Sequence, residues 1–210
     1  HGSGNHAGAL AGYNRGGIAS SSSTGTIAGA WHVGGLAGSN EGSITASQAS
    51  GTVDADGYEV GGLVGTNFGS VATSHSAGGV TGHGGAGGLV GRCDREGDIR
   101  DSYSTAAVNA NTDVGGLVGF HSGRITASYS SGAVAGQSAV GGLAGFVSGG
   151  DMDAGYSHSR VGGDSYVGGL VGIMENGSVT DSYCTGVVTG HSDTGGLMGS
   201  QWQSAVADSF

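Results

Sequence analysis

The sequence predicts an all-β chain, a parallel β-solenoid (β-helix) of about eight three-sided coils of 26–28 residues. Three observations carry that reading. A Leu behind a Gly-Gly or Gly-Ala pair recurs as Leu10, Leu36, Leu63, Leu89, Leu117, Leu143, Leu170 and Leu197. Two further apolar columns follow each Leu in step, one led by Ile18, Ile44 and Val71 and one by Ile27, Val53 and Val80. The runs between them are short, β-prone and Gly-punctuated, without helical periodicity, and a repeat period in the twenties marks a solenoid whose units need only their neighbours. Repeats begin near residues 7, 33, 60, 86, 114, 140, 167 and 194, and residues 1–210 read as one domain.

Within a repeat the elements follow in a fixed order. Val114-Gly-Gly-Leu-Val-Gly119 opens the coil, a turn leads to Gly123-Arg-Ile-Thr-Ala-Ser-Tyr-Ser130, and Ala133-Val-Ala-Gly136 closes it. Each segment is a short strand ended by Gly. Four residues past the second apolar column runs an aromatic column, Tyr103, Tyr129, Tyr156, Tyr183 and Phe210, with Ser22, Gln48 and His75 in the early coils. In an unbroken strand an even offset keeps the same face, so these rings are expected to point inward with the Ile column. A Ser column, including Ser47, Ser74, Ser102 and Ser128, precedes them.

The turn after the Leu strand carries Asn14, Asn40 and Asn67, expected to stack as an amide ladder, and then Cys93, His121, Val147, Met174 and Gln201. This turn also varies in length, so it is expected to carry the most irregular backbone and the recognition surface.

Composition narrows the function classes. Fifty of 210 residues are Gly and none is Pro, as expected where nearly every backbone N–H serves a ladder between coils. The six basic residues are all Arg, and the net charge is −10. Nucleic acid is excluded as an expected partner, because phosphate binding needs a basic surface. A Lys-free acidic surface suits a halophile, and a GC-rich genome produces the same bias. No run reaches the length of a membrane span.

Chemistry-bearing residues are few. The dense charge cluster Arg92 to Asp101 lies in the lengthened turn, where Asp94, Glu96 and Asp98 are a candidate Ca²⁺ set and Arg92 and Arg95 candidate binding residues. Phe120 and Phe146 stack on consecutive coils, and His121 sits in the variable turn, which adds three candidate binding residues. Cys93 and Cys184 lie three coils apart, beyond disulfide reach, so both are expected to be free, with Cys93 the more exposed. Asn176 begins an Asn-Gly-Ser sequon on an expected turn, a glycosylation candidate. No His-Glu-x-x-His, nucleophile elbow or phosphate loop occurs, so no catalytic residue and no cofactor are expected.

The segments Val60-Gly-Gly-Leu-Val-Gly65, Val114-Gly-Gly-Leu-Val-Gly119 and Val167-Gly-Gly-Leu-Val-Gly172, each continuing through Gly-x-Ile/Val to Ser-Tyr or Ser-His and then Gly-x-Val, resemble the GLUG repeat. The resemblance covers nearly the whole chain. It implies a bacterial or archaeal surface protein, such as an adhesin-like chain or the non-catalytic region of an immunoglobulin A1-cleaving zinc metallopeptidase. It carries over no catalytic residue.

Taken together, the expectation is a non-catalytic extracellular or cell-surface structural or adhesive solenoid. A glycan- or protein-binding module using the variable turn, with a host or cell-surface partner, is the first alternative, and a polysaccharide-active enzyme is the second. His1 and Phe210 fall in phases that would let one chain continue another. His1, His6, Trp202 and Phe210 are therefore the expected assembly ends, meeting either another copy or neighbouring repeats of a longer chain.

Overall fold

The computed structural model describes residues 5–210 and shows a parallel β-solenoid of about eight coils. Every strand pairs in parallel with its counterparts one coil away, as Ile99 with Ile125 and Val108 with Val134. A coil holds five short strands rather than three. In the coil that opens at Val114 they are Thr112–Gly115, Val118–His121, Arg124–Thr126, Tyr129–Ser130 and Val134–Ala135. Each belongs to its own sheet through the stack, numbered here one to five in that order. The second and third sheets have eight strands and the others seven among the described residues.

The extra divisions come from the backbone. Two residues past each Ile-column post, Ser20, Ala46, Thr73, Asp101, Ala127, Ala154, Asp181 and Asp208 all have φ near +50°. A left-handed residue reverses the face on which the chain continues, which corrects the expected aromatic column. Ser102 and Ser104 are buried while Tyr103 between them is half-exposed, and Tyr129 and Tyr156 behave likewise. The rings stack outside instead, with His75, Tyr103, Tyr129, Tyr156 and Tyr183 4.8–5.1 Å apart and nearly parallel. The Ser column takes the interior position because its hydroxyl satisfies backbone the kink leaves open. Ser102 Oγ accepts the Ser74 N–H at 3.1 Å and donates to the Arg100 carbonyl at 2.8 Å.

The interior is two apolar compartments. Leu36, Leu63, Leu89, Leu117, Leu143 and Leu170 are fully buried with the Ile/Val/Met column. The third column, from Val53 to Val161, packs instead against Val60, Val114, Val140 and Val167 of the first sheet. Between the compartments runs a polar seam in which the Ser76 and Ser130 hydroxyls donate to the carbonyls of Gly88 and Gly142.

This seam explains the Gly-Gly-Leu-x-Gly signature as close approach. A Cβ on Gly62 would lie 2.0 Å from the Gly88 carbonyl oxygen of the next coil and 3.0 Å from the Ser76 Cβ. On Gly65 it would lie 2.4 Å from the His32 carbonyl carbon, because the second sheet crosses directly over the first. Each fully buried Leu, Ile or Val gains about 1.5–3 kcal/mol, which offsets the entropy of ordering such a Gly-rich backbone.

Candidate functional site

Where the second sheet crosses the first, two columns of residues face each other along the solenoid. The residue four before each Leu gives His6, His32, Glu59, Gly85, Asp113, Ala139, Tyr166 and Asp193, and from His32 onward all are left-handed. The residue three after each Leu gives Tyr13, Ser39, Thr66, Arg92, Phe120, Phe146, Ile173 and Ser200. The register lets each residue of the first column reach the second column one coil on. His6 Nδ1 meets Ser39 Oγ at 2.7 Å, His32 Nδ1 meets Thr66 Oγ1 at 2.8 Å, and Glu59 Oε1 lies 3.7 Å from Arg92 Nη1. Glu59 also accepts a hydrogen bond from Thr66 at 2.8 Å and pairs with His32.

At Gly85 the first column loses its side chain and the corner opens into a cavity of about 310 Å³ lined by Trp31, Tyr58, Glu59, Gly85, Arg92, Asp113 and Phe120. One wall is aromatic. Tyr58 lies over Gly84, whose absent Cβ would otherwise sit 2.8 Å from the ring, and Trp31 stacks on Tyr58 at 5.2 Å and 23°. The other wall is Arg92, placed over the Phe120 ring at 4.6 Å and held by Asp94 at 3.3 Å. Glu59 and Asp113 stand one coil to either side of the gap, about 10 Å apart by strand spacing. Partial burial raises the Asp113 carboxyl above the ordinary carboxylate range. A larger hollow of about 560 Å³, lined by His6, Ala7, Gly8, Gly12 and Thr26, lies against the first described coil, whose Leu10 is exposed.

The structure redistributes the sequence candidates. Arg92 and Phe120 belong to this corner, and Phe146 stacks on Phe120 at 5.5 Å, half-buried. His121 does not line a surface. It is fully buried, its Nε2 meets the Asp151 carbonyl at 3.3 Å, its Nδ1 has no partner, and burial lowers its pKa to about 4. Cys93, expected to be exposed, is also fully buried, and burial raises its thiol to about 12; both residues occupy the inward column begun by the Asn ladder. That ladder is present, with Asn14 donating to Asn40 and Asn40 to Asn67, each at 2.7 Å. Both cysteines are free, as expected.

In the charge cluster, Asp94 is drawn to Arg92 and Asp98 to Arg100 at 3.4 Å, while Arg95 and Glu96 are exposed. Among the described residues no group of three or more His, Cys, Asp and Glu side chains gathers as a metal site. Left-handed backbone is not concentrated at the variable turn, where Gly149, Asn176 and Gln203 show it; the two regular columns hold most of it. Asn176 is exposed there, as a glycosylation site requires.

Of the expected assembly ends, Trp202 and Phe210 are exposed at 70% and 78%, and His1 lies outside the described residues. His6 instead takes its place in the corner column, stacked on His32 at 4.5 Å, and burial together with His32 lowers its pKa. Sequence reasoning missed the cavity because its marker is a missing side chain, Gly84-Gly85, in a chain full of Gly. Aligning the positions four and five before each Leu would have exposed it.

The family model described as the GLUG motif matches residues 29–54. No curated protein matches the chain. Among solved structures, the chain is similar to a crystal structure of a "putative immunoglobulin A1 protease" from Bacteroides ovatus. The TM-score is 0.62 at 19% identity, covering 90% of this chain and 66% of that one. At that identity the likeness shows a shared fold.

Proposed function

We propose that this GLUG-bearing solenoid is a non-catalytic structural element of a secreted or cell-surface protein, adhesive through its decorated outer columns. The observation that carries the reading is the contrast between inside and outside. From Leu36 to Leu170 the Leu column is fully buried, while the column three residues past the Leu is exposed or half-exposed as Tyr13, Arg92, Phe120, Phe146 and Ile173, with Ser39 and Thr66 buried between them. A scaffold that repeats its Leu column and varies its outer residues is suited to spacing and presenting surface groups. The GLUG match and the similarity to a protein named for immunoglobulin A1 cleavage support a secreted or surface setting.

The outermost described coils leave core columns open, with Leu10 57% and Val206 38% exposed. The unpaired strand edges of these coils can pair with those of a second copy, which builds an end-to-end assembly. Light scattering over a dilution series, with electron microscopy, tests the assembly: end-to-end particles support it, and a dilution-resistant monomer overturns it.

A second reading, recognition of a glycan, is favoured by the cavity at the Gly-Gly-Leu corner, where aromatic rings and charged side chains converge. This reading puts the site at the corner, whereas the sequence expectation put it at the variable turn. The enzyme alternative rests on Arg92 beside Asp94, and incubation with polysaccharides followed by reducing-end analysis tests it.

A further inference from the structure

We propose that the cavity at Gly84-Gly85 is a binding cleft for a neutral pyranose residue of a glycan. The proposal rests on the glycan-recognition reading above and assigns it a place and a ligand class.

The cleft is built by subtraction. Every other coil from His32 to Asp193 fills the outward position four before the Leu, and only this coil has Gly there, with a second Gly just before it. The missing side chain at Gly85 leaves one coil open, while the Tyr58 ring takes the space beside Gly84, so the gap between Glu59 and Asp113 is about two strand spacings, the width of one sugar ring. The cavity of about 310 Å³ lies at the small end of ligand pockets, which suits one ring rather than an extended chain.

The walls specify the chemistry. Trp31 and Tyr58 form a stacked, partly exposed aromatic platform, 46% and 39% accessible, and present large apolar area at low side-chain entropy cost. An aromatic platform of this kind matches the C–H face of a pyranose. Around the rim, donors and acceptors alternate, with Arg92 donating and Glu59 and Asp113 accepting. A hydroxyl both donates and accepts, so a polyol uses the whole set. An anionic ligand would use Arg92 alone and face two carboxylates, and a cationic one would use the carboxylates and face Arg92.

Arg92 is also fixed in place by Glu59, Asp94 and the Phe120 ring, so its donors are oriented before a ligand arrives. Asp113 is different. Burial is the cause that raises its pKa, and no side-chain hydrogen bond or ion pair ties its carboxylate among the described residues, leaving it free to accept from a hydroxyl.

The test is an array of immobilised neutral, sulfated and sialylated oligosaccharides, followed by isothermal titration with the methyl glycoside of the strongest neutral hit. Tetramethylammonium serves as the cationic probe. Tyr58→Ala removes the platform, and Gly85→Asn refills the gap. Asn tolerates left-handed backbone, and a Cβ at Gly85 meets nothing closer than 3.4 Å, so the fold is preserved and a thermal melt checks it.

The expected result is binding to neutral glycans, weakened about tenfold or more by either variant at unchanged melting temperature. Neutral binding that survives both variants overturns the cleft while leaving glycan recognition standing. Binding only to acidic glycans or to tetramethylammonium overturns the ligand class. Binding to no probe overturns the proposal and the glycan reading together.

Discussion

His121 converts burial into a pH dependence that can be measured. The ring sits in the inward column between Cys93 of the preceding coil and Val147 of the next, where the early coils carry Asn. It is fully buried, with Gly150 packed against it so closely that a Cβ there would come within 2.6 Å of the ring. Nε2 faces the Asp151 carbonyl, Nδ1 has no partner, and desolvation lowers the pKa from 6.5 to about 4. Above pH 6.5 the ring is neutral in both folded and unfolded chains. As the pH falls below 6.5 the unfolded chain takes up a proton and the folded chain does not until about pH 4. Stability is therefore lost across that window and regained as pH rises. At about 1.4 kcal/mol per pH unit, the full loss is about 3 kcal/mol, of which about 2 kcal/mol is reached by pH 5.

His121→Val copies Val147 one coil on and removes the titrating group. Urea denaturation at several pH values between 4.5 and 7.5 measures the difference, and taking it between variant and wild type cancels the other titrating groups. The variant should gain about 2 kcal/mol on wild type between pH 7 and pH 5. Parallel stability curves for the two proteins would refute the reasoning.

Three further predictions concern the same stack of coils. Asn40→Ala, which breaks a buried amide ladder bonded on both sides, should cost about 2–3 kcal/mol by denaturation, and a neutral effect would mean the ladder is not holding the turn. Ala127→Gly, at φ +47° with an exposed side chain, should raise stability by about 1 kcal/mol in thermal melts, since Gly relieves a left-handed residue. Cys93, buried with its thiol raised to about 12, should react with iodoacetamide only as fast as the chain unfolds, as mass spectrometry of labelled peptides would show. Labelling ahead of unfolding would place it at the surface.

The three apolar columns, the parallel stacking and the Asn ladder were legible because burial repeats at fixed spacing and each column has a plain chemical identity. The fate of Tyr103, Tyr129 and Tyr156 was not. Strand parity assumes continuous extended backbone, and a single left-handed residue at Asp101, Ala127 or Ala154 turns the following chain over. Because those residues are Ala, Asp, Ser or Thr rather than Gly, nothing in their type announces the kink. The Ser column beside them was the available signal, since a hydroxyl repeated in every coil but one needs a backbone partner, and it finds one in the N–H of the preceding coil. His121 and Cys93 were misplaced for a related reason. They share a column with Asn67, whose amide is itself fully buried, so polar identity at that position marks an internal ladder rather than a surface turn. Arg92 and Phe120 were found as individual residues. The corner that joins them to Tyr58 and Asp113 depends on the crossing of two sheets, which spacing along one strand does not reveal.

The proposed function has this solenoid present groups without transforming them. Incubating the chain with immunoglobulin A1 and with a panel of neutral polysaccharides, and analysing the products by mass spectrometry, tests it most directly. Both should be recovered intact, with any retained glycan unmodified. New peptide termini or new reducing ends, abolished by Arg92→Ala or by Asp94→Asn, would contradict it.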